Sequence, residues 1–512
     1  MTFVRIAFFA AACFSCIFSS VSSAKAFPVT ELVARIIDTT RTEDPGIRTL
    51  SNALAHYMMG IVYDNFGKTE TAMAEYEKAL SYKDDVGDIY LKLGADLLIL
   101  GKLEKATAML EKSAQVDPEN TKPHLLLAIV YTTKGEYQKA EAQYEEALKQ
   151  DPENLRILMF LSDLFIVQQK LDKAAEIYES ILKITSEDAV IYFNLGVIYS
   201  KLGQLDKATA NLEKAVEINK DYFEANVILG FIYEMQDKFP EAARQYEKVI
   251  DMDPLNKDAY LRLGEIYYRT GKLDKAIEQN RILMRLDKYS PEPYLRIFSI
   301  YVDEKKHGKA EKILKEAMGK GISSASIYAS LGYLSVLEKK YDDAIDNYTI
   351  AVEKEPDNDL YKFYLGAAAD RLGKREEAIK ILEDVISRSP DFPEAYNYLG
   401  YLYAEEGINL DRAIVLVKKA LAYDPENGAY IDSLGWAYYK KGMLDEALEQ
   451  LIRAVKYLPD DAIVRDHLGD AYFSKGELKN AASEWKRSLK LEPGSRAIMD
   501  KLKGVKEKVR KR

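Results

Sequence analysis

An alanine returns every 34 residues through most of this chain: Ala72, Ala106, Ala140, Ala174, Ala208, Ala242, Ala276, Ala310, Ala344 and Ala378, then, one inserted residue later, Ala413, Ala447 and Ala481. A second small residue stands twelve positions before nearly all of them: Gly60, Gly94, Ala128, Ser162, Gly196, Gly230, Gly264, Gly332, Gly366, Gly435 and Gly469, with Gly400 thirteen before Ala413. Only Phe298 interrupts that series. A period of this length marks an array of one small unit stacked many times, because a single such unit cannot bury its apolar face alone. Residues 53–495 hold thirteen units, 443 of the 512 residues, and leave no stretch long enough for a separate catalytic domain.

Each unit reads as two amphipathic helices. In 189–222 the apolar positions Tyr192, Leu195 and Tyr199, then Leu205, Leu212 and Ala215, fall at helical spacing. Gly196 and Ala208 let the two helices approach closely, and a larger side chain there would overpack the contact. A glycine such as Gly203, Gly271 or Gly442 breaks the chain between the helices, and turns such as Asp117-Pro118-Glu119-Asn120 or Asp424-Pro425-Glu426-Asn427 close many units. The Asn or Asp after such a proline can cap the next helix.

These residues resemble the tetratricopeptide repeat (TPR) family. Unit 189–222 carries its pattern as Tyr192, Leu195-Gly196, Tyr199, Ala208 and Ala215, and unit 428–461 as Leu434-Gly435, Tyr438, Ala447, Ala454 and Pro459. Units 155–188 and 291–324 are weaker, with Ser162 and Phe298 in the Gly slot, but the phase passes through both. The resemblance implies an all-α fold, a right-handed superhelical solenoid of about thirteen helical hairpins whose first helices line a concave groove. Such stacks need caps. Residues 27–52, with Val29, Leu32, Val33, Ile36 and Ile37 at helical spacing, are expected to form a leading helix and linker, and 496–512 a terminal helix with Ile498, Leu502, Val505 and Val509 inward. The basic charge of that last helix suits a helix C-terminus.

Residues 1–26 read as a signal peptide. Arg5 is followed by an uncharged stretch, a serine-rich run and Ala24-Lys25-Ala26, which places cleavage before Phe27 and the mature chain in an exported, periplasmic or secreted location. Ala10-Ala11-Ala12-Cys13 loosely resembles a lipobox, so a lipoprotein anchored to a membrane through Cys13 stays open as the alternative. Cys13 and Cys16 are the two cysteines of the chain, so the cleaved form has no thiol for a disulfide, a metal or a nucleophile. With 82 acidic against 72 basic residues the chain is a poor match for a polyanion, and no nucleic-acid partner is expected.

No catalytic constellation stands out. Gly67-Lys68-Thr69 looks like the end of a phosphate-binding loop, but the glycine that motif needs five residues earlier is Val62. The four histidines lack metal-ligand spacing, with His56 and His124 in a core slot that is Tyr in other units. Carboxylates recur in register, as at Glu111, Glu145, Glu179 and Glu213, which reads as a solvated face. We therefore expect no enzyme activity and no cofactor or metal.

Function then belongs to the groove that the resemblance implies. Its positions carried over onto this sequence, the second, fifth, ninth, twelfth and thirteenth of each unit, hold Phe193, Phe231, Tyr268, Tyr333, Phe363, Tyr401, Trp436, Tyr439 and Phe473. Two roles are open to them: anchors for a bound segment, or packing between neighbouring repeats. Trp436, Tyr439 and Phe473 favour the first, because Tyr438 and Tyr472 already fill the consensus packing slots. The expected function is a protein-interaction scaffold of the bacterial cell envelope that binds protein or peptide segments. The alternative is a regulatory or ligand-binding subunit of a separate envelope enzyme or polysaccharide-export complex. The Lys and Asn set with which one TPR subtype grips carboxylate tails is not complete in any three successive units.

Overall fold

The computed structural model describes residues 45–185 and 187–510, with side chains described as far as Val505. The signal segment, Cys13 and residues 27–44 of the expected leading helix lie outside the described residues, as does the Val509 side chain. The chain divides into two compact units at Met252/Asp253. Among the described residues all regular structure is helical, 27 helices in all. The first unit runs from α1 (Pro45–Asn65) to α12 (Phe239–Met252) as six hairpins. The second runs from α13 (Lys257–Arg269) through seven hairpins and ends on α27 (Arg496–Arg510). Odd-numbered helices are thus the first helices and even-numbered ones the second.

The recurring alanines explain how the hairpins close. All thirteen are fully buried. A methyl group added to Gly196 would stand 2.5 Å from Leu212 Cγ and 3.3 Å from the Ala208 carbonyl, so the helices touch at the small pair. Where Phe298 replaces the glycine it is itself buried, with Ile313 and Leu314 packed in the same cluster, and that hairpin is built around the ring. First helices are started by side-chain caps: Asn120, Asn154, Asp188, Asn256, Ser324, Asn427 and Asp461 each accept a backbone N–H from the first turn.

Several details depart from the sequence reading. The first helix of the array begins at Pro45, eight residues before the expected boundary at 53. The inserted residue near Gly407, which the sequence alone would place in a lengthened turn, instead lengthens a helix and leaves the turn at three residues: Pro393–Glu406 has 14 residues where first helices usually have 13. The turn between hairpin helices has a left-handed residue that is glycine in many repeats but Gln169, Asp237, Lys305 or Lys339 in others. Each of those side chains sits at a position where a Cβ is strained.

The recurring glutamates are also more than a solvated face. The hydroxyl of Tyr131 donates to Glu111 at 2.8 Å, Tyr199 to Glu179, Tyr233 to Glu213 at 2.5 Å, and Tyr403 to Glu383 at 2.6 Å. Each bond ties a first helix to the second helix of the hairpin before it. Burial, and then the carboxylate, push the Tyr131, Tyr199 and Tyr403 hydroxyls up to about 12. His56 and His124 are likewise bonded rather than merely packed, to Glu75 at 2.6 Å and Gln143 at 2.8 Å. At the other end Ile498 and Val505 of α27 are buried against Trp485, with Leu502 packed beside them.

Candidate binding faces on the first helices

The groove positions of a repeat lie on its first helix, and the two units build different faces from them. In the first unit the face is apolar and open. Met159, Val167, Val190, Phe231 and Met235 all keep more than a third of their surface exposed, with Met235 at 54%. Aliphatic side chains carry most of this surface, and a search weighted toward aromatic anchors passes over them. Phe193 is less available, since its ring packs 4.9 Å from Tyr222.

At the ninth position of the repeats in this unit there is one carboxylate, Asp163. Asp163 is largely buried, and burial alone pushes it up to about 6. Among the described residues no hydrogen bond or opposite charge reaches it. Nearer the start of the unit Asp96 is buried and pushed up to about 7, by burial and then by Asp64, which accepts the Tyr76 hydroxyl at 2.6 Å.

In the second unit the part of the corresponding face around Trp436 is bonded to itself, while Tyr333, Leu337, Leu360 and Ile463 stay exposed elsewhere on it. Trp436 is only 7% exposed, stacked between Tyr439 at 4.8 Å and His467 at 4.0 Å, with its indole N–H donated to Glu405. The Lys440 ammonium donates to the Glu405 carbonyl at 3.1 Å and lies over the indole. His467 Nδ1 faces both oxygens of Asp432, at 3.1 and 3.0 Å. Burial pulls the imidazole down, but Asp432, with Asp466 and Asp470 nearby, outweighs burial and holds its pKa above the ordinary value. Lys501 of α27 then bridges Asp466 at 2.8 Å and Asp470 at 2.7 Å. Trp436 therefore serves packing, because both faces of its ring are already covered.

The other expected anchors divide by exposure. Phe363 packs against Tyr364, Phe392 and Tyr398, and half-buried Tyr401 joins the same cluster. Tyr439 and Phe473 are half-buried, with Phe473 5.5 Å from Trp485. Tyr268 and Tyr333 remain exposed, although the Tyr268 hydroxyl already donates to Asp303 at 2.6 Å. The structure thus brings Trp436, Tyr439 and His467 into one stack and leaves Phe231, Tyr268 and Tyr333 partly exposed on separate repeats. Among the described residues no group of three or more His, Cys, Asp or Glu is arranged to hold a metal ion, and no helix is long and apolar enough to cross a membrane.

Known proteins resemble this chain in segments. The family "Cilia and flagella-associated protein 70 C-terminal domain" matches residues 33–254. Tetratricopeptide repeat families match 233–291 and 433–495, and 335–400. The TPR repeat-containing protein PA4667 of Pseudomonas aeruginosa is 40% identical over 65 residues, 13% of this chain and 11% of that one. Hsp70-Hsp90 organizing protein 3 of Arabidopsis thaliana is 29% identical over 100 residues, 19% of this chain and 17% of that one. The chain spans well under a third of the length of these curated relatives. Among solved structures, Naa15/Naa10 bound to HypK-THB matches with a TM-score of 0.46 and 19% identity over 87% of this chain and 69% of that one. The APC/C hetero-tetramer Cut9-Hcn1 matches with a TM-score of 0.43 and 17% identity over 92% and 98%. Proteins built of such repeats generally mediate protein–protein interaction and are typically not enzymes. With thirteen hairpins in phase, each closed on a buried alanine, and repeat matches in both units, the chain belongs to the tetratricopeptide repeat family.

Proposed function

We propose that this protein is a non-enzymatic scaffold that holds protein or peptide segments on the first-helix face of its first unit. The observation that carries the reading is the exposed row Met159, Val167, Val190, Phe231 and Met235. Apolar side chains that stay in water gain free energy when a partner covers them, about 25 cal/mol per Å² removed from water. The end of the second unit around Trp436 suits a structural role better, because its aromatic and charged groups already satisfy one another. The A-x-A pattern at Ala24-Lys25-Ala26 supports export, and we place the scaffold in a bacterial cell envelope, where sequencing of the mature N-terminus should begin at Phe27.

Cross-linked capture from the source cell's envelope tests the reading. The full chain is compared with a Phe231→Glu, Met235→Glu double variant and with Ile218→Glu, which alters an exposed apolar residue at the end of a second helix. Partners retained by the wild type and Ile218→Glu but lost by the double variant support this face. Equal capture by all three assigns binding to another surface.

A further inference from the structure

The acids at the ninth position of a repeat share a register, with one exception. The ninth position of a repeat is acidic three times, at Asp163, Glu265 and Asp470. At two of these the acid is met by a cation from the next first helix, 31 residues on: Arg296 donates to Glu265 at 3.0 Å and Lys501 to Asp470 at 2.7 Å. The residue 31 on from Asp163 is Asn194, which is neutral. Its amide donates instead to the Tyr178 hydroxyl at 3.3 Å, the same hydroxyl whose electrostatic surroundings include Asp163. Asp163 is thus held where its equivalents are neutralised, without the group that neutralises them, next to exposed Met159 and Val167 on its own helix.

We propose that Asp163 is a recognition site for a lysine or arginine side chain of a bound peptide, and that Met159, Val167 and Val190 receive apolar residues beside it. The inference deepens the scaffold reading and rests on it. A carboxylate left among apolar side chains loses hydration without gaining a partner, and an incoming ammonium or guanidinium restores the missing half of the pair. The same chemistry disfavours acidic segments, whose charge would meet Asp163 in a poorly hydrated place.

A phage-displayed library of random twelve-residue peptides, panned on the full chain, tests this. The expected result is enrichment of Lys or Arg flanked by apolar residues. Fluorescein-labelled copies of the selected peptides should then bind Asp163→Asn at least tenfold more weakly, and Glu265→Gln unchanged. Asn194→Lys supplies the absent cation from within, so it should also weaken those peptides at least tenfold while raising the melting temperature. Selected peptides without a Lys or Arg preference, or equal binding by Asp163→Asn, overturn this inference and leave the scaffold reading intact. A melting temperature for Asn194→Lys below that of the wild type counts against the register argument. Failure to select any peptide overturns both.

Discussion

The stretch around Asp163 in the first unit and the stretch around Trp436 in the second use one scaffold and finish it in opposite ways. In the first, the first-helix positions that face a ligand in this family carry exposed Met159, Val190, Phe231 and Met235 around an unpartnered Asp163. In the second unit, the same positions carry Glu265, Asp432, Trp436, Asp466 and Asp470, each bonded or stacked to a neighbouring repeat. The difference lies in what the next first helix supplies. Where it brings Arg296, His467 or Lys501 the face closes on itself, and where it brings Asn194 the face stays open. A repeat array can therefore vary its binding capacity without touching the alanine and glycine contacts that close each hairpin.

The comparison can be broken most severely at the buried pair of the second unit. His467→Leu leaves Asp432 buried without its partner and should cost about 3 kcal/mol, the scale for stripping one member from such a pair. Both tryptophans, Trp436 and Trp485, lie in this unit, so urea unfolding followed by tryptophan emission reads the loss directly. An unchanged midpoint would mean that the stack, and not the charge pair, holds the face together.

The shared scaffold predicts equal sensitivity. Ala208→Phe in the first unit and Ala447→Phe in the second each force a ring into a fully buried contact and should cost about 2 kcal/mol, read by circular dichroism in urea. A variant that melts like the wild type would refute the close-packing account of the 34-residue period.

Neutralising the groove acids should give opposite signs. Asp163→Asn removes a partly buried charge that no described residue compensates, and at neutral pH it should stabilise by about 1 kcal/mol. Glu265→Gln breaks partly exposed pairs with Arg296 and Arg269 and should destabilise by about 0.5 kcal/mol. The pH dependence separates the units in the same way. The pKa of Asp163 is raised to about 6 in the fold, so the folded state binds its proton first and stability rises as pH falls from about 6 toward the ordinary Asp value; Asp163→Asn should abolish that rise. For His467 the folded pKa is also raised. Its contribution is complete below the ordinary histidine value and fades as pH climbs through the raised one, which Trp436 emission should follow in the wild type and not in His467→Leu.

The smallest expected effect concerns the turns. Lys305 holds a left-handed conformation that glycine fills in most repeats, so Lys305→Gly should gain up to about 1 kcal/mol in thermal melting. A loss would show that the lysine side chain contributes more than its strain costs.

The hairpins were legible in the sequence because the close contact inside each one tolerates only a small side chain, and a requirement repeated thirteen times leaves a periodic trace at Ala72 through Ala481. The capped turns were legible for a similar reason, since Pro and Asn act within a few residues of themselves. The candidate site was legible only in part. Phe231, Tyr268 and Tyr333 are exposed, whereas Trp436, whose position favours an anchor over packing, is stacked out of reach. Its fate depends on His467 in the following repeat and Glu405 in the preceding one, and no property of Trp436 itself announces either. The tyrosine–glutamate bonds were hidden in the same way: a recurring Glu179 looks solvated until Tyr199 of the next hairpin is placed against it.

By itself the sequence determined the unit length, the helical hairpin, the number of repeats and the exclusion of thiol chemistry from residues 27–512, all consequences of local helix physics and side-chain size. Tertiary structure decided which groove residues are spent on their neighbours and which remain for a partner. That division rests on contacts between repeats, where the residue 31 positions later determines whether an acid such as Asp163 or Glu265 is already paired.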